Sequence, residues 1–235
     1  MKKHGFTLAE VLVTLGIIGV VAALTTPALI QNVGNAKIAP RLQKAKATFE
    51  TASEMMLNEH NSNTMLGVAD NTLDLGNELS NYMKITHDSS VQNPENNYKT
   101  YEGNPIGEGV NNTQPIGEKF DSDEGMIYYI NVTGKQSPLE YEDTPNNQYI
   151  GVVTVDINGL QTPNVIGKDT FLFALYNDGT LRPYGSKSAL RHVHDGLHSD
   201  WSNSSNATAC SEDKVMGGWG CTGSIFDNGM KVIYQ

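Results

Sequence analysis

The sequence predicts an α+β protein in which one long N-terminal helix packs on a C-terminal antiparallel β-sheet. Three observations carry this reading. An apolar run from Phe6 to Ile30 holds a single charge, a stripe of Ile38, Leu42, Ala45, Phe49, Ala52 and Met56 follows it, and the second half breaks into short apolar runs separated by turn residues. At 235 residues the chain suits one anchored domain of ordinary size and leaves little room for two independent cores.

The first element is the apolar run. About 25 residues lie between Phe6 and Ile30, and at ~1.5 Å rise per residue they cover the ~30 Å hydrocarbon core of a bilayer. Lys2 and Lys3 precede it and hold the start of the chain in the cytoplasm, which places the C-terminal bulk outside. Three readings of this segment compete. A secretory signal peptide cut near Ala22 or Ala23 fits the basic start and the small residues, but Glu10 then falls within an apolar core longer than the usual ~7–15 residues. A plain membrane anchor leaves Glu10 without a purpose. In the third reading Glu10 is functional, because a carboxylate within a spanning helix costs roughly 2.5–3.5 kcal/mol and is normally kept for a partner. A cut after Gly5 would supply that partner, a free α-amine on Phe6 one helical turn away.

Lys2-Lys3-His4-Gly5, then Phe6-Thr7-Leu8-Ala9-Glu10 and a long apolar stretch, resembles the class III signal of type IV prepilins and type II secretion pseudopilins. The resemblance covers residues 1–30, and Pro27 falls where these proteins often bend their helix. It implies a pilin-like fold, cleavage after Gly5 by prepilin peptidase, N-methylation of Phe6 and an assembly role for Glu10. The implied function is that of a structural subunit, not an enzyme, assembled through its N-terminal helix into a type II secretion pseudopilus or a type IV pilus. The implied partners are prepilin peptidase, other pilin or pseudopilin subunits, the inner-membrane assembly platform and membrane lipid. The implied location is the bacterial inner membrane, single-pass, with the head outside the cytoplasm and the product a periplasmic or cell-surface fibre. A minor tip subunit or adhesin, binding cargo or a surface through its head, is the alternative. The N-terminal segment is common to all these proteins and does not separate them.

The stem is the second element. Its apolar positions recur at steps of four and three, one face of a helix, while Lys37, Arg41, Lys44, Lys46 and Glu50 occupy other faces. Pro27 and Pro40 each remove a backbone donor and crowd the preceding turn, which predicts a bend or local melting at both. Pro40 serves equally well as the start of a separate helix. The expected organisation is a leader at 1–5, a transmembrane and assembly helix at 6–30, a stem at 31–60 and a head at 61–235.

Between Asn58 and Gly125 the composition turns to Asn, Gly, Ser and Thr, with short apolar pieces at Met65 to Val68 and Leu73 to Met83; this predicts a loop-rich connector with room for one short helix. Strands are expected at Met126 to Val132, Tyr149 to Ile157, Thr170 to Tyr176 and Thr180 to Tyr184, the last two joined by Asn177-Asp178-Gly179 as a hairpin. A final strand is expected at Met230 to Tyr234 after a turn at Asp227-Asn228-Gly229. Four or five strands result. Cys210 and Cys221 lie beyond a segment placed outside the cytoplasm, where an oxidised pair closing a short loop is expected. Trp201, Gly217, Gly218 and Trp219 would pack around it.

Two clusters in the head carry ligand-type residues. Asp156, Asn158 and Asp169, with Pro163-Asn164 and Gly167-Lys168 between them, gather oxygen donors of the kind calcium takes, though Leu160 and Gln161 break an EF-hand pattern. Some pseudopilins hold calcium in a C-terminal loop, but their ligands do not align here. The same residues serve equally as turn formers. His192, His194, Asp195 and His198 have metal-ligand spacing, but they lie in a polar, Gly- and Ser-flanked stretch that reads as a solvated loop. A net charge of −10 with scattered cations disfavours nucleic acid. No Ser-His-Asp arrangement, phosphate-cradling loop or nucleotide fingerprint is present in the sequence.

Overall fold

The computed structural model describes residues 7–88, 98–99, 101, 103, 117–132, 149–186, 210, 218 and 220–232, with 27–35 through their backbone alone. The chain divides into two compact units, residues 1–38 and residues 39–235. Helix α1 (Leu8–Glu59) contributes to both.

In the first unit, Leu8 to Thr26 forms 19 residues of exposed, apolar helix, about 28 Å at 1.5 Å per residue. Thr14 Oγ1 donates to the Glu10 carbonyl at 2.9 Å and Thr25 Oγ1 to the Val21 carbonyl at 2.9 Å. These hydroxyls are therefore satisfied inside the helix, as an apolar solvent demands. The helix ends at neither Pro27 nor Pro40. The expected local melting does not occur, and Pro40 does not start a helix of its own. A proline forfeits one i→i−4 bond, and the flanking turns keep theirs.

The second unit is built on a six-stranded sheet, counted among the described residues: β1 (Ile85–His87), β2 (Glu118–Ser122), β3 (Ile127–Val132), β4 (Tyr149–Asp156), β5 (Thr170–Tyr176) and β6 (Leu181–Pro183). Every neighbouring pair is antiparallel, and spatial order equals chain order. The four strands expected between Met126 and Tyr184 are present. β1 and β2 lie in the stretch expected to be a connector, as do α2 (Met65–Val68) and α3 (Thr72–Leu79). β2 reads Glu-Lys-Phe-Asp-Ser, with one apolar residue, so its sequence carries almost no strand pattern.

Side chains alternate across the sheet. Register places Tyr128, Ile130, Val153, Val155, Phe171 and Phe173 on one face, and Ile127, Tyr129, Leu172 and Ala174 on the other. All of these are buried, which explains the unbroken apolar sequence of β5. Tyr98, Ile166 and Tyr184 cover the second face together with Ile127, Tyr129 and Leu172. The first face is left for the helices. Leu42, Ala45, Phe49, Ala52 and Met56 of α1 are at most 1% exposed, as the stripe predicts. Gly76 of α3 lies so close to Phe120 that a Cβ there would come within 2.0 Å of the ring.

The β5–β6 hairpin ties these layers together. Its three-residue loop, Asn177-Asp178-Gly179, is closed by Tyr176 N–H donating to the Thr180 carbonyl at 3.0 Å. Asn177 then caps α2: its carbonyl accepts from Met65 N–H at 2.7 Å and its Oδ1 from Leu66 N–H at 3.0 Å. Glu50 on α1 accepts from Leu181 N–H at 2.9 Å.

The final strand expected at Met230 to Tyr234 does not form within the described residues. Instead α4 (Cys221–Asp227) ends at Asn228, and Gly229 takes a left-handed φ of 66°. Met230 N–H returns to the Ile225 carbonyl at 2.8 Å and Gly229 N–H to the Phe226 carbonyl at 3.3 Å, the two bonds of a Schellman cap. Asn-Gly serves a helix end as readily as a hairpin, which is why the sequence misleads here. The Cys210–Cys221 disulfide is formed and joins this helix to the preceding segment.

Candidate functional site

The N-terminal segment is organised around Thr7 and Glu10. Leu8 opens the helix, which makes Thr7 its N-cap and Glu10 its third residue. Thr7 N–H and Thr7 Oγ1 both donate to Glu10 Oε2, each at 2.8 Å, and Glu10 N–H donates to Thr7 Oγ1 at 3.3 Å. This is a capping box, and Thr-x-x-Glu was its signal in the sequence. Glu10 is thus held at the positive end of the helix, one turn inside an exposed apolar surface, with Oε1 outside the box. Gly5 and Phe6 lie outside the described residues.

Residues 1–26 match a protein family described as the prokaryotic N-terminal methylation motif. The segment is a class III prepilin signal. No curated protein and no solved structure matches the chain. The match covers the N-terminal segment alone, and that segment is of the kind at which prepilin peptidase acts in pilin-type precursors. The match extends over the capping box and the whole exposed apolar helix, Leu8 to Thr26.

In the head, the turn between β4 and β5 brings Asp156, Asn158 and Asp169 together. Asn158 N–H donates to Asp156 Oδ1 at 3.1 Å, and Asn158 Nδ2 lies 3.5 Å from Asp169 Oδ2. Asp169 orders the loop: Asn164 N–H donates to its Oδ2 and Val165 N–H to its Oδ1, both at 2.7 Å. Asp156 is fully buried, and Tyr98 donates to its Oδ2 at 2.6 Å while touching the Tyr129 hydroxyl at 3.1 Å. Burial pushes the Asp156 carboxyl up to about 7, against the hydrogen bonds from Tyr98 and the Asn158 and Gly159 amides and with the help of nearby Asp169. Burial raises Asp169 as well, against the Val165 and Asn164 amides. Sequence reasoning missed Tyr98, because nothing in a polar connector marks one tyrosine as the partner of a carboxylate far along the chain.

The stretch with His192, His194, Asp195 and His198, read from the sequence as a solvated loop, lies outside the described residues, as do Trp201, Gly217 and Trp219. Among the described residues no three His, Cys, Asp or Glu side chains are grouped to hold a metal. The 156–169 turn has two carboxylates and draws its remaining oxygens from amides and the main chain.

Proposed function

We propose that this chain is a pilin-like structural subunit. Prepilin peptidase cuts after Gly5, Phe6 is N-methylated, and the mature subunit polymerises through residues 6 to about 56 into a type II secretion pseudopilus or a type IV pilus. The observation that supports this reading is a prepilin signal laid on an apolar helix that leaves its entire surface, Leu8 to Thr26, exposed.

The mechanism is helix packing. In the bacterial inner membrane the exposed helix is solvated by lipid, with the head outside the cytoplasm. During assembly, other copies replace lipid around it. Glu10 and the new Phe6 amine set the axial register: the amine of one subunit neutralises the carboxylate of a neighbour, removing the cost of a charge in an apolar surround. Thr7 presents the carboxylate in a fixed rotamer, so the partner amine meets an ordered acceptor. Pro27 and Pro40 are the points at which the helix bends as subunits pack. The inner-membrane platform extracts each subunit, and the sheet-bearing head faces outward.

Replacing Glu10 tests the idea. Glu10→Leu keeps apolarity, length and the cleavage site, so insertion and processing proceed as in the wild type while fibre yield collapses. Normal fibre yield from the processed variant would contradict the assembly role.

A further inference from the structure

We propose that the Cys210–Cys221 disulfide is the latch of a strap formed by Tyr98, Lys99 and Tyr101, so that the strap seats on the sheet only in a chain oxidised at these two cysteines. The reading is independent of fibre assembly.

The strap lies on the second face of the sheet. Tyr98 is buried with Ile127, Tyr129, Ile166, Leu172 and Tyr184, and its hydroxyl donates to Asp156 Oδ2 at 2.6 Å. Lys99 pairs its main chain with the turn between β4 and β5: its N–H donates to the Asn164 carbonyl at 2.9 Å, and its carbonyl accepts from Ile166 N–H at 3.0 Å. Tyr101 is buried beside Lys168, whose Nζ lies 4.6 Å from the ring centre. Two main-chain bonds make a short ladder, and so short a pairing is marginal without a further layer over it.

That layer belongs to the segment the disulfide closes. Gly218 takes a left-handed φ of 95°, and a Cβ there would collide with the Ile166 carbonyl and come 3.2 Å from Tyr101 Cβ. The Gly218 main chain therefore lies against the strap and against the residue that holds it. Beside it, a Cβ on Gly167 would stand 2.6 Å from Cys221 Sγ and 2.7 Å from Gly218 Cα, so the disulfide itself packs on the turn. Ile166 is thus held on both sides, its N–H by Lys99 and its carbonyl against Gly218.

The contacts of α4 with the sheet lie on the other side of the bridge. Thr222 Oγ1 accepts from Leu172 N–H and Gly223 N–H donates to the Tyr184 carbonyl, both beyond Cys221 in the chain. Gly218 precedes Cys221, inside the loop that the bridge closes. Without that closure, ordering the loop costs the chain entropy that the bridge removes beforehand. Gly218 then leaves the strap uncovered while α4 stays on β5. Forming the bridge takes two protons and two electrons from the thiols and passes them to a disulfide-bearing oxidant, which leaves as its dithiol. Such oxidants act outside the cytoplasm, so the strap closes where the head is oxidised. With Cys221 fully buried and Cys210 7% exposed, the closed latch shields its own sulfurs from reductants.

The test follows hydrogen exchange by mass spectrometry in the full chain in detergent. The oxidised chain is compared with one prepared and kept in dithiothreitol, its two free thiols confirmed by alkylation. On reduction, protection of the Lys99 and Ile166 amides should fall at least about tenfold further than that of the β3 and β5 amides. No fall at Lys99 and Ile166, or a fall equal to that of β3 and β5, would overturn the proposal. Coupling is reciprocal, so Tyr101→Ala should let at least about fivefold less dithiothreitol open the bridge at equilibrium. Ile85→Ala, a core change in the edge strand β1, should leave that requirement unchanged. A wild-type requirement in Tyr101→Ala, or an equal shift in both variants, would also overturn it.

Discussion

Thr222 illustrates how single residues decide this fold. β6 is three residues long, so it stops short of Leu172, and the Leu172 N–H is met by Thr222 Oγ1 at 3.0 Å instead. Both residues are buried. Thr222→Val keeps the shape and removes the acceptor, leaving a buried amide unpaired; the expected loss is about 1–3 kcal/mol, read as a lower denaturant midpoint at unchanged slope. A midpoint within error of the wild type would mean that water or a shifted helix satisfies the amide. Asp156 stands at the other extreme, a carboxyl held in the interior by Tyr98 and two backbone amides. Its place at the end of β4 was legible in the sequence, and its burial was not, since the residues that enclose it come from distant segments.

At the scale of elements, the disulfide and the edge helix act together. α4 seats Thr222 on β5, and Gly223 N–H donates to the Tyr184 carbonyl at 2.8 Å, so the helix continues the sheet edge where β6 ends. Cys221 opens that helix and Cys210 tethers it. Replacing both cysteines with serine should cost about 2–4 kcal/mol, measured by thermal or denaturant unfolding, with the stem and central strands keeping their far-ultraviolet signature. An unchanged stability would show that α4 docks without its tether. The elements that were legible have strong local signals: the stem stripe, and the β5–β6 hairpin, where Asp-Gly joins two apolar runs. β1 and β2 were not legible, because β2 buries one apolar side chain, Phe120, and takes its place through pairing with β3. At the C-terminus, Asn228-Gly229 suited two backbone motifs, and the Schellman cap prevailed because α4 has β5 and β6 to pack against.

For the whole molecule, the division of labour follows the division of the chain. Among the described residues, the sheet of the second unit buries apolar side chains on both of its faces, whereas Leu8 to Thr26 leave theirs exposed. A surface of that size needs lipid or other helices around it, and it lies within the segment that matches the prokaryotic N-terminal methylation motif. The prepilin-type signal itself was legible from the first ten residues, Lys2-Lys3-His4-Gly5 and then Phe6-Thr7-Leu8-Ala9-Glu10. The partner of the head was not legible, because no compact motif encodes it. The most direct measurement is intact-mass and N-terminal analysis of the protein taken from membranes of its native host. A mature chain that starts at Phe6 and is heavier by one methyl group is the expected result. A chain that begins at Met1, or just after Ala22 or Ala23, would contradict the account.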